Sequence, residues 1–188
     1  MALVSYALTS VANAQTYLGI TGDTTLLELL IDGATDYIES QCGRRFASTT
    51  YTQEEYDGTE SNYIFLKQYP VTAATTIERN DGTLSTPSWT SLTEGDDYEP
   101  YLNEGYLDML GRTSETERHR YRATYTAGYT TIPYDLEIAC LKLVSEGYNK
   151  RKNDGVTSER IGSWAITYGS VIENDKAFAE TIARYRRI

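Results

Sequence analysis

The chain has 188 residues, 40% of them hydrophobic, and a formal net charge of −10. That length suits one domain with a subdomain, burying about 70% of the unfolded surface, so no disulfide or metal is needed to hold a core. The acidic balance excludes a general nucleic-acid- or membrane-binding surface, which requires basic patches, and no run approaches the ~18 apolar residues of a membrane span.

Taken in chain order, Ala12-Asn13-Ala14 has the small-x-small look of a signal cleavage site. No positive charge precedes it, and Ser5, Thr9 and Ser10 break the apolar region, so a signal peptide is not expected. The lack of Asn-x-Ser/Thr sequons agrees with an intracellular product. Residues 9–18 predict a short helix capped by Thr9 or Ser10, with Val11, Ala14 and Leu18 inward and Gly19 closing it. After a turn at Gly22-Asp23-Thr24, the pair Thr25 and Glu28 has capping-box spacing. Leu27, Leu30, Ile31, Ala34 and Ile38 then form the core stripe of a second helix, whose Glu28, Asp32, Asp36 and Glu39 face water. Gly43 ends it, and Arg44 and Arg45 are placed to answer its last carbonyls.

From Phe46 to Tyr129 the chain turns rich in Thr, Tyr, Gly and Ser, a β composition. Strands are expected at 62–67, 73–79, 106–110 and 118–126, with a hairpin turn at Asn80-Asp81-Gly82. In the last strand Arg118, Arg120 and Arg122 alternate with His119, Tyr121 and Ala123, giving a guanidinium face and an apolar or aromatic face.

Residues 132–152 carry the strongest helical pattern. Pro133 suits the first helical position, Asp135 and Glu137 suit the first turn, and Lys150, Arg151 and Lys152 suit the last. Leu136, Ala139, Cys140, Leu143, Val144 and Gly147 make one apolar face, and Asn153-Asp154-Gly155 supplies an exit. Residues 156–169 read as an extended crossing with Trp164, Ile166 and Tyr168 on one side. A final helix capped by Asn174 or Asp175 presents Phe178, Ile182 and Tyr185, and the chain ends in Arg184, Arg186 and Arg187. The fold class is therefore α+β: a helical core from the N- and C-terminal helices (about 1–45 and 132–188) around a β-rich insertion (about 46–131), in one 1–188 domain.

Motifs of chemistry are sparse. Cys42 and Cys140 lack CxxC spacing and lie on apolar helical stretches, the pattern of reduced core thiols. His119 is the single histidine and has no nucleophile motif beside it. Phosphate-loop, dinucleotide and zinc-protease patterns are missing. Carboxylates cluster at Glu54, Glu55, Asp57 and Glu60, and again at Glu94, Asp96, Asp97 and Glu99, but with no calcium-loop spacing, as in solvated loops. No catalytic, metal or cofactor residue is assigned. The seventeen tyrosines are the anomaly: tyrosine is enriched where surfaces meet and equally common in β-rich chains. The basic aromatic tail on an acidic body fits docking into an acidic groove, and equally a solvated end.

Several pieces together resemble the head–tail connector (adaptor) proteins of tailed bacteriophages. They are Tyr17-Leu18-Gly19-Ile20, Leu26–Ile31 with Ala34-Thr35 and Ile38-Glu39, Cys42-Gly43-Arg44-Arg45-Phe46 and Leu66-Lys67-Gln68-Tyr69-Pro70-Val71. They continue with Tyr125-Thr126-Ala127-Gly128-Tyr129, Ile132-Pro133 and the long helix, Ser158-Glu159-Arg160-Ile161-Gly162, Tyr168, and Tyr185-Arg186-Arg187-Ile188. The resemblance spans nearly the whole chain and is weakest over 82–117. It implies a structural virion protein, made in the host cytoplasm, with no enzymatic activity and no cofactor. Such proteins form a ring of about twelve subunits between the portal and a stopper or tail-completion protein, and DNA passes through without specific binding. Arg184, Tyr185, Arg186, Arg187 and Ile188 become portal-binding candidates. Glu137, Lys142, Glu146 and Tyr148, opposite the apolar stripe, become candidates for the subunit interface. Two alternatives are a tail-completion or stopper-type virion protein and a metal-dependent hydrolase using the acidic loops.

Overall fold

A computed structural model of the chain describes residues 2–110, 117–151, 158–161, 164–167 and 175–186, the two short stretches 158–161 and 164–167 in backbone only. The fold is α+β with antiparallel sheets, and the chain divides into two compact units, 1–46 with 131–188, and 47–130. Among the described residues, nine strands outnumber four helices.

The first unit holds the helices α1 (Val11–Leu18), α2 (Thr24–Cys42), α3 (Tyr134–Lys150) and α4 (Lys176–Tyr185). Ser10 caps α1, its hydroxyl accepting from the Asn13 amide at 3.2 Å. Gly19 and Gly43 end α1 and α2 in the left-handed region that a side chain disfavours. Asp175 caps α4 by accepting from the Phe178 amide at 3.0 Å. The expected capping box at Thr25 and Glu28 is not formed: α2 begins at Thr24, so Thr25 lies inside the first turn, and the cap is Asp23, with no side-chain cap hydrogen bond. Pro133 is likewise the cap of α3 rather than its first helical residue.

The helices bury Leu27, Ile31 and Ile38 of α2, Leu136, Cys140 and Val144 of α3, and Phe178 and Ile182 of α4; α2 packs on α3 and α4 on both. At roughly 1.5–3 kcal/mol per fully buried aliphatic side chain, this core dominates the unit's stability. Both cysteines are free and buried, as the apolar stretches indicated, and burial pushes the Cys140 thiol up to about 12. The segment before α1 is tied down by backbone donors: the Val4 amide to Asp32 and the Leu8 amide to Thr35, both at 3.2 Å.

Glu39, expected in water, is 6% exposed. The turn after α2 brings the Phe46 amide back onto its Oε1 at 3.0 Å, and Arg45 reaches its Oε2 at 3.0 Å. Burial raises this carboxyl above its usual range, against the pull of the Phe46 amide and Arg45. Residues 156–169 were expected as a single crossing; instead β8 (Ser158–Ile161) and β9 (Trp164–Thr167) pair antiparallel. Tyr168 and the exit at 153–155 lie outside the described residues.

Among the described residues, the second unit has two antiparallel sheets. One, in the order β1-β7-β3-β4, comprises β1 (Thr49–Tyr56), β7 (Tyr121–Ala127), β3 (Val71–Asn80) and β4 (Trp89–Ser91). The other, β2-β6-β5, comprises β2 (Tyr63–Phe65), β6 (Tyr106–Met109) and β5 (Tyr98–Tyr101). Strand β7 alternates strictly, with Tyr121, Ala123, Tyr125 and Ala127 buried. One cluster joins these to Ile77 of the same sheet and to Ile64, Leu107, Met109 and Tyr98 of the other.

Arg118 and His119 precede β7 rather than belong to it, and the guanidinium face reduces to Arg122. That side chain pairs with Glu78 on β3 at 2.5 Å and lies over the Trp89 ring at 4.4 Å. The turn expected at Asn80-Asp81-Gly82 is the first part of a longer loop reaching to Trp89. Buried Asn80 organises it, its side-chain oxygen accepting from the Gly82 and Ser88 amides at 2.9 and 3.0 Å.

Candidate interaction surfaces

Four carboxylates of the two acidic runs, Glu54, Glu55, Asp57 and Asp97, are engaged locally. Glu54 accepts from the hydroxyl of Tyr56 and, at 2.7 Å, from that of Tyr125. Those hydroxyls in turn accept from the Lys67 and Gln68 amides at 3.1 and 3.2 Å. Burial holds both phenols well above their ordinary range. Glu55 meets the His119 ring, and Asp57 accepts from the His119 amide at 2.9 Å. Asp97 accepts from the Thr93 amide at 2.9 Å, closing its own turn. Among the described residues, no three His, Cys, Asp or Glu side chains converge to hold a metal ion. These carboxylates satisfy local donors, which is structural work.

The four side chains expected opposite the stripe of α3 are engaged from within the chain. Glu137 accepts from the Thr9 hydroxyl at 2.9 Å and the Asn13 amide group at 2.6 Å. Lys142 pairs with Asp175 at 2.5 Å, holding that carboxyl below its usual range, and Glu146 pairs with Lys150 at 2.5 Å. Tyr148 is 9% exposed, with its hydroxyl on Asp23 at 2.5 Å and Arg151 over its ring at 3.6 Å. The expectation that this row faces outward is therefore corrected for Tyr148. The buried face is rotated from the sequence stripe, taking in Leu141 and Tyr148 and leaving Leu143 half-buried.

Two large apolar side chains of α3 do look outward. Tyr134 is 80% exposed and Ile138, one turn on, 44%. Their spacing places them side by side on one ridge. Sequence reasoning singled out the side opposite the stripe but missed this pair, because on that side it named Glu137, Lys142, Glu146 and Tyr148 and passed over its two apolar members.

The basic tail is folded back onto its own unit as far as it is described. Arg184 donates to Asp135 Oδ2 at 3.0 Å and Tyr185 to Oδ1 at 2.9 Å, while the Tyr185 ring meets the edge of Phe46 at 5.7 Å. Arg186 donates to the Gln41 carbonyl at 3.2 Å. Arg187 and Ile188 lie outside the described residues.

A second exposed surface sits on the three-stranded sheet of the β unit. Tyr63, Phe65 and Tyr101 are 44%, 60% and 41% exposed, and all three rings touch that of Tyr106. The excess of tyrosine was the available signal; which faces it populates was not. Both surfaces suit binding to macromolecules better than chemistry on a small substrate.

No curated protein sequence matches the chain. Chains of similar fold come from the neck of an empty GTA particle computed with C6 symmetry: 18% identity, TM-score 0.63, covering 99% of this chain and 94% of the other. Another comes from the neck of the native particle computed with C12 symmetry: 19% identity, TM-score 0.60, covering 100% and 93%. A third is from the virion of the native gene transfer agent particle: 17% identity, TM-score 0.61, covering 100% and 93%. The family model described as "Head completion protein" matches residues 7–187, nearly the whole chain. The chain belongs to the head completion protein family, in line with the connector resemblance drawn from its sequence.

Proposed function

We propose that the chain is a structural head–tail connector. Copies form a ring beneath the portal of a DNA-filled head, receive a stopper or tail-completion protein on the opposite face, and leave an axial channel for the genome. The observation that carries this reading is the fold shared, over the full chain, with neck proteins of a phage-like particle computed with C6 and C12 symmetry. The helical unit is the ring-forming core, with the β unit inserted in it as part of one connector domain.

A closed ring needs a head-to-tail interface, two different patches that meet. The ridge of Tyr134 and Ile138 supports a place for α3 in that contact, because an apolar pair left in water gains by burial against the next copy. Glu137, Lys142 and Glu146, flanking it, belong to the rim of the same contact, where charge sets register rather than affinity. The segment from Arg184 to Ile188 is the portal-facing end, anchored to its own unit through Asp135. A ring of about twelve copies, each at −10, carries on the order of −120 charges, so phosphate passing through the channel is repelled and does not stick.

The test is co-sedimentation with portal-bearing heads and, separately, with isolated tails. Binding to the heads is expected. Binding to tails alone would replace this reading with that of a tail-completion protein.

A further inference from the structure

The outer face of the β2-β6-β5 sheet presents two cross-strand rows. In one, Phe65, Tyr106 and Tyr101 are direct partners; in the other, Tyr63, Asp108 and Glu99 are. The inner face of the same strands, with Ile64, Leu107, Met109 and Tyr98, belongs to the core, and the outer side chains stand outside it. Tyr106 is the hub of the aromatic row: Tyr101 stacks on it at 4.7 Å and 12°, Tyr63 meets it edge-on at 5.4 Å, and Phe65 lies tilted at 5.7 Å.

The second row is poor design for a free surface. Glu99 and Asp108 sit directly opposite one another, and like charges at such a pair destabilise a sheet. Among the described residues neither is in an ion pair, and the turn between β5 and β6 adds the exposed Glu104. Clustered ring faces next to opposed carboxylates are complementary to one chemistry. A planar cation stacks on the rings, and its N–H groups satisfy the carboxylates. Another copy of this chain is a poor occupant, since it brings net like charge to the patch and its described C-terminal arginines, Arg184 and Arg186, are already engaged by Asp135 and the Gln41 carbonyl.

We propose that this sheet face docks an arginine-bearing segment of a different protein, with guanidinium groups over Phe65, Tyr101 and Tyr106 and their N–H groups on Glu99 and Asp108. This does not rest on the connector reading, and it would hold for any partner that offers such a segment. Arginine is required rather than lysine, because only the planar group both stacks and forks onto carboxylates.

The experiment titrates the full chain with a synthetic peptide alternating arginine with leucine, using calorimetry. Counterparts carrying lysine or glutamate in place of arginine serve as comparisons. The arginine peptide is expected to bind, more weakly as salt rises, with the lysine form weaker and the glutamate form silent. Phe65→Ser and the double change Glu99→Gln with Asp108→Asn should each weaken binding about tenfold while leaving the circular dichroism unchanged. No binding of the arginine peptide, equal binding of the glutamate peptide, or undiminished binding by both variants would overturn the proposal. So would sedimentation showing that Phe65→Ser turns a self-associated protein into monomers, since the occupant would then be a second copy.

Discussion

Gly147, in the middle of α3, tests how tightly α2 and α3 are fitted. A Cβ built there would lie 2.9 Å from Cδ2 of Leu30 on α2, and the next atom of that side chain is 4.0 Å away. Replacing glycine by alanine inside a helix gains about 0.8–1 kcal/mol. The new methyl is closer than the ~3.5–4.0 Å optimum between carbons, so Leu30 must turn off its rotamer at a cost of about 0.5–1.5 kcal/mol. The two effects nearly cancel, and Gly147→Ala is expected within about 0.5 kcal/mol of wild type. With Leu30 also cut to alanine the obstacle is gone, and the same substitution should gain the full ~1 kcal/mol. Urea unfolding of the four proteins of this double-mutant cycle, followed by far-UV circular dichroism, reads a coupling of about 0.5–1.5 kcal/mol. Gly147→Ala gaining the full amount with Leu30 intact would mean that the helices are not in contact there. A loss above about 2 kcal/mol would mean that the methyl meets something less yielding than a side-chain end.

Three further outcomes are expected. The raised Glu39 carboxyl means that the folded chain holds that proton more tightly than the unfolded one. Its contribution to stability is thus present below the ordinary carboxylate range and lost as pH rises through the folded value. Glu39→Gln should be more stable than wild type near neutral pH, the gap closing on acidification in pH-dependent urea titrations; a constant gap would contradict the assignment. Cutting before Arg184 removes the Asp135 and Phe46 contacts and should cost about 1–2 kcal/mol in urea unfolding. Portal binding retained by this truncation would exclude the tail as the portal-facing end. Tyr134→Ser with Ile138→Ser should leave monomer stability within about 0.5 kcal/mol and weaken the ring in analytical ultracentrifugation. An intact ring would remove this ridge from the interface.

Local chemistry was legible in the sequence wherever one residue decides a local event. Gly19 and Gly43 end helices because a left-handed exit is needed there, and Asp175 caps α4 through its own side chain. Features set by what the chain meets elsewhere were not. Glu39 reads as a surface acid until the following turn delivers the Phe46 amide to it. Tyr148 looks suited to an outer face until its hydroxyl finds Asp23 at the start of α2. Strand β1 escaped because a bulge between Tyr51 and Glu54, with Gln53 at φ 51°, breaks the alternation that would have marked it. The aromatic face was hidden for a related reason. Tyr63-Ile64-Phe65 is apolar on both sides, so polarity does not tell the core face from the one in water, and only the pairing of β2 with β6 does.

The connector reading rests on ring formation at the portal, and imaging tests that most directly. The purified chain, mixed with portal-bearing heads and examined by electron microscopy, should add a ring of about twelve copies coaxial with the portal and open along the axis. Heads left without added density, or density closed across the axis where the genome must pass, would contradict it.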